Sequence, residues 1–577
     1  MGIRCGGSRE VGETPREGPA TEAKRPERVI LWAFLGAAFL LRIFHALRYR
    51  VDSDEPQHLH VVWGWVTGLL PYRDVFDNHT PLFHMVYAPV AAALGERAEL
   101  LLLMRLTMLP LCVVSFVCVY VIGKSLFSRR VGLWAAALAA LVPPLFWRSM
   151  EFRTDVLWMT FWLLAVAVLV RPPLSTRRSF LVGLLLGAAA AVSLKTTLLL
   201  VALVVTALLT VLMSARRTPW RRRLPRLIRG GAAAIVGLLL IPTALTLVFV
   251  AKGALGAFYY GAIGHQLVPG VYSFSVYHPV LSSVAVVMSL GCAFASVRSD
   301  PSDGLTVRRT FVFLLVAVLV AALSLWPVRA KQTLVVIYPL LVVMLCAGTE
   351  KTVGWLMRRG SAIRRDALLC AIATLVALVQ LGWLLAEAPW RDQTAADLRR
   401  WRQVLRLTDP SQTVMDIKGE LIFRRRAYYY VLEKVTRLRL RRGLLPDDVA
   451  ERLVATRTCV ASTEKRGIPD ASARFINENY VPVGSLLAAG KFLDRPPETA
   501  SSILFDVRIP ARYAMITPVG PARGTLDGKP CRGGVFLDAG PHEYRGVPGE
   551  GRLVLIWAQA LERGFSPWQT SLPESSE

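Results

Sequence analysis

The chain has 577 residues, 54% of them hydrophobic and 19% charged, with a formal net charge of +27. It is too apolar for a soluble enzyme and too long for one small domain, so the composition defines a polytopic membrane protein. The basic residues punctuate the hydrophobic segments instead of clustering on one soluble face, so topology accounts for the charge and a nucleic-acid partner is set aside.

Residues 1–27 are polar, rich in Gly, Glu, Arg and Pro, and lack the apolar core and cleavage site of a signal peptide. They read as a disordered cytoplasmic tail. The first span, 29–47, is then an uncleaved anchor. Further apolar segments at 99–122, 131–147, 155–170, 180–194, 196–213, 231–251, 280–297, 310–326, 333–349 and 367–387 bring the expected spans to eleven. The basic loops 124–130, 171–178, 214–229, 297–309 and 350–365 fall on the side of the N-terminus, as Lys and Arg do in short cytoplasmic loops. An odd number of spans sends residues 388–577 outside. The stretch 180–213 is readable as one long helix or as two turning near Lys195. Two spans keep the charge pattern, and one would invert everything downstream.

With this topology residues 51–83 lie on the outer face. Trp63, Trp65 and Tyr72 are residue types of the headgroup level, which suits helices lying along the membrane surface. An ordinary amphipathic loop covers those aromatics but not the carboxylates Asp52, Asp54 and Glu55, since ionised groups at a lipid boundary are costly and tend to mark function. Other outward loop ends repeat the pattern with Arg148, Glu151, Arg153 and Asp155, with Lys195, and with Arg329 and Lys331. Arg48, Arg50 and Arg73 lie in or beside the first loop. Singly, each cation pairs locally or snorkels to headgroups. Together, acids and bases at one rim define a site that handles a proton and an anionic group in the same place. Transfer of a sugar from a lipid-linked phosphate wants both: a carboxylate for the acceptor's proton and cations for the departing phosphate. Composition alone does not choose this reaction over other lipid-headgroup chemistry.

The stretch "DSDEPQHLHVVWGWVTGLLPYRDVFDNHTPLFHMVYAP" resembles the first extracytoplasmic loop of the bacterial family 39 glycosyltransferases, relatives of the protein O-mannosyltransferases and of the aminoarabinose transferase that modifies lipid A, all of the GT-C fold. The resemblance rests on the acid pair Asp54-Glu55, the G-x-x-P-Y-R-D run from Gly68 to Asp74, and His79 to Phe83. "FRTDVL" is similar to the family's second acidic loop, and "VRAKQTLVVIYPLL" to its late basic then Tyr-Pro segment. The likeness spans roughly 28–390 and is clearest in the first third. It implies an all-α GT-C membrane domain over 28–387, with Asp54 as general base, Glu55 orienting the loop or acceptor, and Asp155 as a second acid near the reaction centre. Lys195, Arg329 and Lys331, with Arg153, are candidates for the donor phosphate, chiefly from loop side and charge. Tyr72, Arg73, Asp74 and His79 would position the loop or acceptor. Asp52 is an alternative base. Its D-S-D spacing resembles the metal-binding D-x-D of nucleotide-sugar transferases, which face a soluble donor. The implied activity is inverting transfer from a polyprenyl-phosphate sugar to a glycan, lipid or protein hydroxyl outside the cell membrane, without a cofactor.

His58 and His60 form H-x-H, with His79 and His84 nearby, and such types bind zinc. Residues two apart on a helix do not share a face, which favours hydrogen bonding over a metal. The segment 251–279 mixes Gly, Tyr and Pro and suits a mobile cover, with Tyr259, Tyr260, Tyr272 and Tyr277 available to stack on sugar. Beyond residue 387 a soluble part begins, expected as an α/β region (388–490) and a β-rich, sandwich-like region (500–565) before a tail (566–577). Cys459 and Cys531 are candidates for one disulfide there. Two rivals remain: a transporter or flippase of lipid-linked saccharide, which should concentrate polar groups at mid-membrane, and a membrane metal-dependent hydrolase using the His and acid cluster.

Overall fold

The computed structural model describes residues 25–214, 220–268, 279–299, 304–325, 331–358, 361–493, 502–531, 533–546 and 552–568. The first apolar run forms α1 (Arg25–Arg48), about 36 Å long at 1.5 Å per residue. Two short helices, α2 (Asp54–Val66) and α3 (Leu82–Leu94), precede α4 (Leu100–Leu106) and α5 (Leu109–Leu126). The segment that follows is α6 (Arg129–Leu141) and α7 (Pro143–Met150), bent by 67° where two prolines withdraw N–H donors. Then come α8 (Thr154–Leu169), α9 (Thr176–Val192), α10 (Thr196–Ser214), α11 (Trp220–Ala251), α12 (Leu255–Ala262), α13 (Pro279–Ser299), α14 (Gly304–Leu325), α15 (Tyr338–Leu356) and α16 (Ala362–Ala386).

All eleven expected segments are largely helical over their described residues, and 180–213 is two helices, α9 and α10, that turn at Ser193–Lys195. The segment 333–349 starts as a 3-10 turn, Lys331–Val336, before α15. Among the described residues seven helices are long and apolar enough to cross a membrane, or eight with α6 and α7 taken as one bent span. Of the expected segments that fall short of that length, α8 is buried among its neighbours along most of its course.

Ion pairs and caps gather the helix ends into two rims. At one rim Arg130 at the start of α6 meets Glu27 of α1 at 2.8 Å and Asp366 of α16 at 2.9 Å, and Trp134 Nε1 also donates to Glu27. Ser128 donates to Glu350 of α15, and Arg309 of α14 caps the Leu126 carbonyl of α5. At the other rim the end of α1, the start of α2, the α7–α8 corner and the α9–α10 turn converge. The mid-helix contacts are made by small residues. A Cβ on Gly183 of α9 would stand 1.9 Å from the Ala234 carbonyl oxygen of α11, and one on Gly237 would stand 2.3 Å from the Phe180 oxygen, so the two backbones touch only because these side chains are absent.

After α16 the chain enters α17 (Ala395–Leu407) and a strand-rich domain. Its main sheet runs in the spatial order Val535–Leu537, Ala511–Thr517, Leu553–Trp557, Leu486–Leu493, Val460–Ser462, Thr413–Met415, Arg425–Arg426, with Tyr480–Val483 also on Leu486–Leu493. The last three strands of that order are parallel, and the other pairings are antiparallel. A second, four-stranded antiparallel sheet is built from Ser502–Val507, Gly540–Gly546, Gly524–Leu526 and Lys529–Pro530. One hydrophobic cluster from Val404 to Phe565 lies within this domain. The sheet therefore crosses the boundary expected near residue 490, because Leu486–Leu493 pairs both with Val460–Ser462 before it and with Leu553–Trp557 after it. No disulfide joins Cys459 to Cys531.

Replacing Gly183 by Leu should force α9 and α11 apart and lower stability by about 1–3 kcal/mol, read as an earlier thermal transition of the purified protein in detergent; Gly36→Leu, where nothing lies within 4 Å, should leave it unchanged.

Candidate functional site

The site starts from the N-terminus of α2, where free backbone amides favour carboxylates. Asp52 accepts the Asp54 amide at 3.1 Å. Glu55 points inward and is fully buried. Its carboxylate takes a fork from Arg105 of α4, Nη2 to Oε1 at 2.5 Å and Nε to Oε2 at 2.7 Å, together with the amides of Phe152 and Asp52 at 2.8 and 2.9 Å. Arg105 spends its other N–H groups on the carbonyls of Ala46, Tyr49 and Arg50. Glu55 thus ties together the end of α1, α2, α4 and the α7–α8 corner, and its lone pairs are committed to that task.

Arg153, at the α7–α8 corner and 5% exposed, is the hub of the remaining charge. It reaches Asp54 at 2.6 Å, Asp52 at 2.9 Å, Asp155 at 3.3 Å and Glu151 at 3.4 Å. Asp155 also holds Lys195, from the α9–α10 turn, at 2.9 Å, while Asp52 and Glu151 share Arg148. Asp54 completes its pairing with Lys418 of the C-terminal domain, which also meets Ser53. The result is an alternating row, Lys418, Asp54, Arg153, Asp155, Lys195. In that row Arg153 is committed to carboxylates, whereas each lysine holds a carboxylate that Arg153 also holds. Burial works to raise the Asp54 pKa, but Arg153 and Lys418 outweigh it and keep the carboxyl well below the usual range. Burial pushes Glu151 the other way, upward, against the pull of Arg153.

Lys418 is presented by a rigid turn. Asp416, 2% exposed, accepts the amides of Gly419 and Leu421 and pairs with Arg426 at 2.6 Å. Glu420 accepts the Lys418 amide, and Gly419 sits at φ 88°, where a Cβ would stand 3.1 Å from the Cβ of His60. His60 in turn meets the Ile422 carbonyl at 2.6 Å. His58, on the opposite side of α2, turns to His84, with Nδ1 to Nε2 at 3.0 Å, so the two rings of H-x-H part as helical spacing requires. His84 Nδ1 lies 3.1 Å from Asp77 Oδ2, and Asp77 Oδ1 accepts from the His79 ring at 3.2 Å. Among the described residues no cluster of three or more His, Cys, Asp or Glu is arranged to hold a metal ion.

The other sequence candidates fall in different places. Tyr72 is buried, at φ 70°; its hydroxyl donates to the His79 carbonyl at 2.5 Å, and its own carbonyl accepts from Tyr429. It positions the loop. Arg73 and Asp74 pair with each other at the surface, away from the charged row. Arg329, Tyr272 and Tyr277 lie outside the described residues, and Lys331 is placed only as the first residue of its 3-10 turn. Tyr260 meets His265, which reaches Thr436 of the C-terminal domain, while Tyr259 is exposed. Sequence reasoning missed Lys418, which is 364 positions from Asp54 and carries no local signal. It also passed over Arg105 and Asp77, where a signal existed: a lone arginine inside "LLLLMRL" and an acid two residues before His79.

Residues 78–244 match the family model described as dolichyl-phosphate-mannose-protein mannosyltransferase. Among solved structures, the chain is similar to ArnT from Cupriavidus metallidurans in the apo state, with TM-score 0.55 and 12% identity over 80% of this chain and 98% of that one. The same values hold for ArnT bound to undecaprenyl phosphate, over 81% of this chain. The oligosaccharyltransferase of Archaeoglobus fulgidus superimposes less well, with TM-score 0.46 and 13% identity over 89% of this chain and 76% of that one. No curated protein matches the chain by sequence. The chain has the ArnT-like GT-C fold with a strand-rich C-terminal domain, as the loop resemblance implies. The family model matches residues 78–244 of the 577, and the likeness to ArnT at 12% identity shows the fold.

Replacing Glu55 by Gln would leave Arg105, 2% exposed, without its counter-charge, and should cost about 3–5 kcal/mol of stability. Asp54→Asn, at a side chain 28% exposed and outside that lock, leaves Arg153 its other carboxylates and should lower the thermal transition by less, so the two variants separate in a melting experiment.

Proposed function

We propose that the chain is an integral-membrane, inverting glycosyltransferase that moves a sugar from a polyprenyl-phosphate donor to a hydroxyl of a glycan, lipid or protein acceptor on the extracytoplasmic face of the cell membrane. The observation that carries this reading is the placement of Asp54: partly open, between Arg153 and Lys418, at one rim of an ArnT-like fold. A donor whose tail stays in lipid brings its phosphate to such a rim.

Asp54 is the general base. At rest both its oxygens face cations, which makes it a poor proton sink. An acceptor hydroxyl takes the place of Lys418 on Asp54, and the displaced ammonium turns to the phosphate. The acceptor oxygen bonds to the anomeric carbon while the bond to phosphate breaks, leaving the electron pair on the polyprenyl phosphate. Lys195 and Lys418 suit the growing negative charge, because either can leave its carboxylate while Arg153 keeps that carboxylate paired. Arg153 and Glu55 hold the frame. Arg329 and Lys331 remain phosphate candidates on the basis of sequence position.

Incubation with a panel of polyprenyl-phosphate pentoses and hexoses and an extract of acceptors should release free polyprenyl phosphate from wild type, and Asp54→Asn should lower the rate by about 10²-fold or more. Equal release from both proteins would remove Asp54 from the mechanism. The pH profile gives a second test. Lys418 helps hold the Asp54 pKa down, so Lys418→Met should raise it. The base form is then lost at a higher pH, and the acid limb of kcat/KM should move upward relative to wild type.

A further inference from the structure

The rim opposite the charged row carries a feature that the transfer scheme leaves unused. Between α6, α15 and α16 lies a cavity of about 260 Å³. Its floor includes Trp134 and Leu138 of α6, both buried, and its lips are Leu345 of α15 and Val376 of α16, both exposed. Exposed apolar side chains on helices that cross a membrane face lipid, so the cavity is a groove open to the bilayer. Where α15 and α16 face it they offer short side chains, Cys346 and Ala373, and the groove stays unfilled.

Its length matches one leaflet. Along α16 the lining runs from Leu369 to Gln380, about 16 Å at 1.5 Å per residue. Half of the ~30 Å hydrocarbon core is about 15 Å. A groove of that length that starts at a rim suits one acyl chain of the leaflet on that side.

The mouth is charged, and its acids are turned inward. Glu27 takes Arg130 and Trp134 Nε1, Asp366 also takes Arg130, and Glu350 accepts from Ser128. The charges that face Glu350 are Arg130, Arg365 and Asp366. Arg130 is spent on its two acids, whereas Arg365 stands 3.9 Å from Asp366 with 37% of its side chain exposed. Lys351 and Arg364, next in the chain to Glu350 and Arg365, are exposed as well. The rim thus keeps its carboxylates within and presents cations outward, the pattern by which a pocket between membrane helices recognises an anionic headgroup.

We propose that this groove binds an anionic phospholipid of the leaflet opposite the charged row, one acyl chain lying on Trp134 and Leu138 and the phosphate meeting Arg365 and Lys351. The lipid joins α6, which leads through α7 to the Arg153 corner, with α16, which leads to the domain of Lys418. The inference does not depend on the transfer reading.

The test is native mass spectrometry of the full-length protein, delipidated in a mild detergent and titrated with dioleoylphosphatidylglycerol or dioleoylphosphatidylcholine. Wild type should take up one phosphatidylglycerol at least about tenfold more tightly than phosphatidylcholine. Lys351→Gln combined with Arg365→Gln should erase that preference, and Ala373→Phe, whose ring enters the groove, should abolish the tight uptake. Equal affinity of wild type for the two lipids would overturn the proposal, as would a preference that survives in the double variant. Tight uptake that survives Ala373→Phe would put the lipid elsewhere and overturn the site. Failure of wild type to bind either lipid would overturn it too, and a dimer that Ala373→Phe dissociates would then assign the groove to a second copy of the chain. If Ala373→Phe does not fold, the double variant, changed only at side chains on the surface, decides the matter.

Discussion

The fork between Arg105 and Glu55 is the interaction on which the rest of the site depends. Both partners are buried, and a buried ion pair of this kind contributes less through net stability than through the single geometry it enforces. Arg105 gathers three carbonyls from the end of α1 and Glu55 gathers amides from 52 and 152, so four separate pieces of chain meet at one point. Only with that point fixed does Arg153 stand where it can touch Asp52, Asp54, Glu151 and Asp155 at once.

This divides labour between adjacent acids. Glu55 faces inward and is wholly occupied, whereas Asp54 faces the rim and keeps a quarter of its side chain open. Two consecutive helical residues point about 100° apart, so one belongs to the packing and its neighbour to the opening. The same logic separates His58 from His60: one joins the buried imidazoles, the other clamps the C-terminal domain through the Ile422 carbonyl.

Much of this was legible in the sequence. Apolar length located the helices, and of the two readings of 180–213 the one with a turn near Lys195 kept the basic loops on one rim. The acid pair and the "FRTDVL" corner marked the site, because charge beside lipid stands out against its surroundings. The roles within it were not legible. Whether Arg153 serves a phosphate or four carboxylates depends on which helix ends meet, and spacing along the chain does not contain that. Lys418 lies in a stretch rich in ordinary surface charge, and only tertiary folding distinguishes it from its neighbours. The expected break near residue 490 failed for a related reason: a long strand between two turn-rich regions pairs with partners on both sides, and pairing partners are set by burial far away in sequence.

The contribution of Lys418 also bears on biogenesis. Asp54 is made within the first tenth of the chain, while the ammonium that closes over it belongs to a domain whose sheet is finished only by residues 553–557. Until that domain has been synthesised and docked on α2, the carboxylate lacks one of its two counter-charges. A chain interrupted between the end of α16 and residue 553 would therefore insert its helices yet leave the centre unfinished, so that the order of synthesis itself keeps such copies from assembling the full charged row.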